Sequence, residues 1–324
     1  MPWLSPALKV LAWLCRRPWE ALSVVRTLRR AKRSAHQRGG RVRVLARAGG
    51  LGDVLWAAAA ADLAAKHSPQ DVLLFLTQPA MLEAVRLASP DIAVIAPHLP
   101  NPHMQSLLRR FCEVVEMEYE PHDTAGTHMV HTYLRQLGCP QEMQHPAWHF
   151  ERVPLFRAAQ PFACIYTGPS WPVREAPMAV WSAVIPRLKS ELGLCVLHVL
   201  PHPSPAQTIP GCDELVIGAP LASLCNLFDQ SALVLTIDSI MLHLAAGTRA
   251  PLVAIFGPTL ASCRMFETPR QRALSAQVDC AGCHHRTPRL HWETGCPYDI
   301  ACMQQISADA IMAAASQVLA LPPR

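Results

Sequence analysis

The chain has 324 residues, 51% hydrophobic and 16% charged, enough for two domains of ordinary size and typical of a well-buried globular protein. It holds no run of about 18 uninterrupted apolar residues, which argues against a spanning helix. The net charge of +5 hides an asymmetry: residues 1–40 carry nine Lys/Arg against the single acid Glu20, leaving 20 basic and 23 acidic residues in the rest. A mildly acidic body argues against a nucleic-acid partner, because a duplex reader needs its positive charge spread over a folded face.

Residues 1–40 read as a basic helical arm, with a helix from about Pro6 to Arg33, Ser5 as its cap and Pro6 at its first position. Leu8, Leu11, Cys15, Trp19, Leu22 and Val25 fall on one stripe, and Pro18 is expected to kink it. Two readings stand. One is peripheral contact with the inner membrane, Trp3, Trp13 and Trp19 entering the headgroup region and the arginines facing anionic lipid. The other is an extra helix packed on the first domain with a solvated basic face. Lys9 breaks the apolar stretch and basic residues stand where a cleavage site would lie, so no signal peptide is expected and the reading is cytoplasmic.

From Arg41 the pattern changes to strands alternating with helices, the mark of parallel sheets covered on both faces. Strands are expected at Val42–Ala46, Val72–Leu76 and Ile92–Ile95, with helices from Val54 to about His67 and from Met81 to Leu87. Residues 98–150 are rich in His, Met and Pro and give no clear elements. After a linker at Arg152–Gln160 the alternation resumes. Strands are expected at Phe162–Tyr166, Cys195–Leu200, Glu214–Ile217, Ala232–Ile237 and Leu252–Phe256, with helices at about Met178–Leu192, Leu221–Phe228 and Met241–Ala246. The domains are read as 1–40 (arm), 41–155 and 156–324.

Two loops carry the chemistry. Gly49-Gly-Leu-Gly-Asp53 joins a strand to a helix; its glycines let a ligand approach the backbone, and the helix start favours an anion. Asp53 there reads either as a base for an acceptor hydroxyl or as a helix cap. Later, a strand delivers Asp238 and Ser239 to a helix start, with His243 one turn on, followed by Gly257-Pro-Thr259. These read as a diphosphate site, or as a cap with a core histidine.

The order and spacing of Gly50-Leu-Gly-Asp-Val54, Gly168-Pro-Ser-Trp-Pro172 with Trp181, Asp238-Ser239 with His243-Leu-Ala-Ala246, and Phe256-Gly-Pro-Thr259 resemble glycosyltransferase family nine, the heptosyltransferases, over roughly 41–320. The resemblance implies an α/β GT-B fold, two Rossmann-like domains facing a cleft. The first would bind a glycan or protein acceptor and the second a nucleotide-sugar, ADP-heptose above all. It further implies inversion by direct displacement without a catalytic metal. Asp53 would be the base and Gly49, Gly50 and Gly52 the phosphate-approach loop. Gly168, Ser170, Arg174, Asp238, Ser239, His243, Gly257 and Thr259 would hold the donor, Arg174 standing where relatives place a lysine. Ile240 departs from the usual glycine and Ala176 from the usual tryptophan. The alternatives are a GDP- or UDP-hexose donor, or a non-catalytic GT-B scaffold.

Of twelve cysteines, eight are scattered and read as buried thiols of a reducing compartment. Cys280, Cys283, Cys296 and Cys302 are clustered, and read either as four unrelated free cysteines or as a structural zinc or iron site within a knuckle at 280–302, with His284, His285 and His291 as substitutes for one thiolate. Related sequences often carry a similar cluster, and some autotransporter-modifying heptosyltransferases hold iron there with different spacing.

Overall fold

The computed structural model describes residues 6–99, 101–119, 126–140, 143, 145–154, 160–168, 172–201, 209–286 and 295–321. Two compact units result: Met1–Tyr119 with Val130–Met143, and Glu120–Met129 with Gln144–Arg324.

The first unit opens with α1 (Pro6–Arg16) and α2 (Pro18–Arg38), so the arm is two helices divided at Pro18. Its sheet holds β1 (Val42–Ala46), β2 (Val72–Leu76), β3 (Ala93–Ile95) and β4 (Glu113–Glu116), all parallel, in the order β3-β2-β1-β4. Helices α3 (Leu51–His67), α4 (Leu82–Ala88), α5 (Asn101–Leu108) and α6 (Met129–Gln136) connect or flank these strands. β1 is buried throughout, as expected of a central parallel strand. α3 starts three residues before the expected Val54, taking Gly52 and Asp53 into its first turn.

In the second unit β5 (Phe162–Tyr166) leads through α7 (Met178–Leu192) to β6 (Cys195–Leu200) and β7 (Glu214–Ile217). Then come α8 (Leu221–Asp229), β8 (Leu233–Ile237), α9 (Ile240–Ala246), β9 (Leu252–Phe256) and β10 (Gln271–Ser275). Short helices α10 (Cys283–Arg286) and α11 (Ala301–Gln304) precede α12 (Ala308–Leu319). The six strands are parallel, in the order β10-β9-β8-β5-β6-β7. Within the stretch read as a linker, Arg152 Nε donates to Asp229 of α8 at 2.9 Å and the Val153 N–H donates to Asn226 at 3.1 Å. That stretch is therefore strapped to α8 where it is described.

The arm packs against the first sheet. Trp13, Val24, Ala31 and Ala35 join Val42, Val44, Leu74 and Leu76 in one apolar cluster. This corrects one expectation: Trp13 is buried, its indole N–H donated to Glu20 at 2.9 Å, and does not face outward with Trp19. Trp3 and Ser5 lie outside the described residues. The apolar stripe from Leu8 to Val25 is on the outward side, because the inward contacts use Trp13 and the small residues of α2.

Candidate active site

In an open parallel sheet, ligands bind beyond the carboxyl ends of the strands where the strand order reverses. In the first sheet that place is β1, between β2 and β4; in the second it is the boundary of β5 and β8. The Gly49–Asp53 loop leaves the first point. Gly168 and Asp238 leave the second.

At the first, Asp53 is fixed from two sides. Its Oδ2 accepts the Gly50 N–H at 3.2 Å, closing the start of α3, and its Oδ1 lies 3.4 Å from Arg47 Nη2. Arg47 is held in turn: Nη1 donates to the Met117 carbonyl at 2.9 Å, and the guanidinium sits 5.7 Å from the Tyr133 ring centre. Asp53 thus does cap the helix, yet its side chain keeps 27% exposure, so an oxygen stays reachable. The sequence does not mark Arg47 as a site residue. A lone arginine at a strand end carries no signal until the fold turns it onto the next loop's carboxylate.

At the second, Asp238 is buried at the end of β8. The Thr259 hydroxyl donates to its Oδ2 at 2.6 Å, Arg174 Nη1 lies 3.5 Å from the same oxygen, and Arg174 also reaches the Asp238 carbonyl at 3.4 Å. Burial alone would raise this carboxyl, but Arg174, Arg264, His243 and the Thr259 hydrogen bond outweigh it and hold it far below the usual carboxylate range. Ser239 caps α9, its hydroxyl accepting the Met241 N–H at 3.2 Å, while His243 is buried one turn on with its carbonyl taking the Trp148 indole N–H at 2.8 Å. Both capping roles weighed from the sequence are therefore filled. The structure brings Arg174, Asp238, Ser239, His243 and Thr259 together.

Gly168 follows β5 at φ +141°, where a side chain would be strained and a Cβ would meet Glu175 at 2.8 Å. Ser170 lies outside the described residues. Gly257 allows a different close approach: a Cβ there would stand 2.9 Å from Cys302 Sγ and collide with Met303, so α11 packs directly on the loop that carries Thr259.

Two residues join this site that the sequence did not assign to it, Arg264 and His284, the second marked there only as a substitute metal ligand. Arg264, beyond a 3₁₀ turn at Ala261–Cys263, is buried and lies within electrostatic reach of Asp238. His284, on α10, is pushed down to about 3 by burial and by Arg264, His285 and Arg174. Gly282 and His284 N–H groups donate to the Gly257 and Pro258 carbonyls at 2.9 and 2.8 Å, pinning the cysteine stretch to the same loop. Arg174 thus pairs with the buried carboxylate while Arg264 lies within its electrostatic reach, an arrangement suited to an added anion. Neither could be found from periodicity, since both depend on where the cysteine stretch folds back.

The four cysteines approach one another without forming a ligand set. Burial, then Cys280, Cys283 and Cys296, pushes the Cys302 thiol up to about 11, and Cys283 is raised by burial, Cys296 and Cys280. Among the described residues, however, no three His, Cys, Asp or Glu stand close enough to hold a metal ion. The thiols are neighbours, not ligands at coordination distance.

A family model described as "Glycosyltransferase family 9 (heptosyltransferase)" matches residues 120–292. No curated protein sequence is significantly similar to the chain. Among solved structures, the iron-containing dodecameric glycosyltransferase TibC from enterotoxigenic E. coli superposes with a TM-score of 0.70 at 20% identity, covering 87% of this chain and 79% of that one. TibC has also been solved with ADP-D-β-D-heptose, at TM-score 0.68, 19% identity and coverages of 86% and 76%. E. coli ADP-heptose LPS heptosyltransferase II follows at TM-score 0.61, 13% identity, and coverages of 86% and 98%. The fold is of the GT-B-like heptosyltransferase type, α/β with two parallel sheets.

Proposed function

The chain belongs to glycosyltransferase family 9, and we propose that it moves heptose from ADP-heptose onto a hydroxyl of a glycan or protein acceptor with inversion. The observation that carries this reading is the buried Asp238 paired with Arg174, with Arg264 in electrostatic reach, at the switch point of the second sheet. Support for the sugar comes from the ADP-heptose complex of the similar TibC.

In this reading residues 156–324 bind the donor and 41–155 the acceptor. Arg174, Arg264 and Thr259 meet the diphosphate, with Gly168 and Gly257 admitting it close to the backbone. The acceptor oxygen attacks the anomeric carbon as the bond to the diphosphate oxygen breaks, and Asp53 takes the hydroxyl proton. Negative charge grows on the departing ADP, and the two preset guanidiniums stabilise it there, so no catalytic metal is required. Arg47 is a positioning residue that keeps the Asp53 carboxylate turned toward the acceptor side of its loop. The test is titration of the protein with ADP-heptose, followed by product stereochemistry by NMR. Saturable binding and an inverted product support the reading; retention of configuration contradicts it.

We also propose that Cys280, Cys283, Cys296 and Cys302 take up a structural zinc or iron ion that draws the neighbouring thiols into coordination. Four protein ligands leave no open position, so the ion has no part in the transfer. About one equivalent of metal per chain is expected in freshly purified, tag-free protein. Substituting any one of the four cysteines should lower metal content and melting temperature together. Elemental analysis without zinc or iron overturns it.

A further inference from the structure

The arm packs on its sheet with one side and presents an amphipathic face on the other. On α2 the buried residues are Val24, Ala31 and Ala35. Opposite them, at helical spacing, stand Trp19, Leu22, Arg26, Arg29 and Arg33, all exposed. Trp19 is 77% exposed, the highest value for any large hydrophobic residue among those described. On α1 the division repeats, with Trp13 inward and Leu11, Leu14 and Cys15 outward. Among the described residues, six of the fourteen exposed large hydrophobics lie between Leu8 and Val25, so this apolar exposure is concentrated and calls for an occupant.

We infer that this face rests on an anionic lipid bilayer, α2 lying in the interface plane with Trp19 and Leu22 at the boundary of headgroups and acyl chains and its arginines on the lipid phosphates. Charge selects this occupant. The single acid of residues 1–40, Glu20, is already engaged by Trp13, Arg17 and His98, at 2.9, 2.7 and 2.7 Å, so the arm has no acid left over to offset Arg26, Arg29 and Arg33. A second copy docked face to face would set Arg26, Arg29, Arg30 and Arg33 against their own equivalents. A nucleic acid would satisfy the arginines but leave Trp19, Leu22 and Leu11 in water. A bilayer of acidic lipid answers both ends of the face at once.

The surface continues beyond the outward arginines. Lys32 lies 5.7 Å over the ring of the exposed Phe111, and Lys32, His36 and Arg41 border a groove of about 480 Å³. Glu113, the acid among the described residues lining that groove, is held by Arg41 and Arg43 at 3.0 Å each. An aromatic edge beside a cationic groove is again suited to a headgroup phosphate. No described helix is long and apolar enough to cross a membrane, so the contact is with its surface.

The test is sedimentation of the full chain with vesicles of phosphatidylcholine alone and of phosphatidylcholine mixed with phosphatidylglycerol. Binding is expected only with the anionic vesicles and should fall steeply as salt is raised. Arg29→Glu with Arg33→Glu should lower the partition at least about tenfold. Trp19→Ala with Leu22→Ala should lower it by about tenfold as well. Melting temperature and ADP-heptose affinity should not change in either pair. The inference is overturned if anionic vesicles fail to bind the parent chain, or if the variants bind like it. It is equally overturned if light scattering shows an assembly that Trp19→Ala with Leu22→Ala dissolves, which would give the face to a second copy. Tighter retention on duplex DNA or RNA than on vesicles would give it to nucleic acid.

Discussion

Asp53 caps a helix and is also the proposed base, and the two roles separate by what each would lose on substitution. Asp53→Asn keeps an acceptor for the Gly50 N–H, so the fold and donor affinity should survive. Transfer should fall by about two to four orders of magnitude in kcat, the usual contribution of a positioned base; a variant retaining most of its kcat would leave Asp53 as a cap only. Arg264→Ala should weaken ADP-heptose binding by roughly tenfold to a hundredfold, the range of a hydrogen bond to a charged group, with acceptor KM unchanged. Asp238 predicts a pH dependence. Its carboxyl is depressed, so its contribution to stability is complete above about pH 4 and is lost as the pH falls below the ordinary carboxylate value. Melting curves from pH 7 downward should show that acid limb in the parent and a flatter one in Asp238→Asn; parallel curves would show that Asp238 does not carry it.

The elements differ in how plainly the sequence announced them. Strands buried on both faces, such as Phe162–Tyr166 and Leu252–Phe256, are continuous apolar runs and are found where their residues place them. β4 was not legible, because Glu113-Val-Val-Glu116 is short and acidic at both ends and becomes a strand only by pairing with β1. α6 was hidden by its surroundings, although Val130, Tyr133 and Leu134 lie inward at helical spacing. The arm was half legible: Pro18 marked the break, but which stripe faces inward depends on the sheet it meets. The site followed the same rule. Motif loops were readable, whereas Arg47, Arg264 and His284 reach it only through tertiary folding. The contact of α11 with Gly257 makes an element-level prediction. Gly257→Ala should push Met303 and Cys302 away from the Thr259 loop and cost about 1–3 kcal/mol by overpacking, measurable in a denaturant melt. An unchanged midpoint would show that α11 can give way freely.

For the whole molecule, one regularity links fold to activity: in each unit the glycine-bearing loop leaves its sheet at the strand where the order reverses. The first places Asp53 beside Arg47; the second, after β5, leads to the turn that carries Arg174, which meets Asp238 at the end of the neighbouring β8, and these are the acceptor and donor parts of the proposed reaction. The central claim is that the second of these loops binds an ADP-sugar. Isothermal titration of the full chain with ADP-heptose, GDP-mannose and UDP-glucose in parallel tests it most directly. The account predicts saturable binding of ADP-heptose with a clear preference over the other two, and a loss of that binding in Arg174→Ala with Arg264→Ala. Preferential binding of a GDP- or UDP-sugar, or ADP-heptose binding untouched in the double variant, would contradict it.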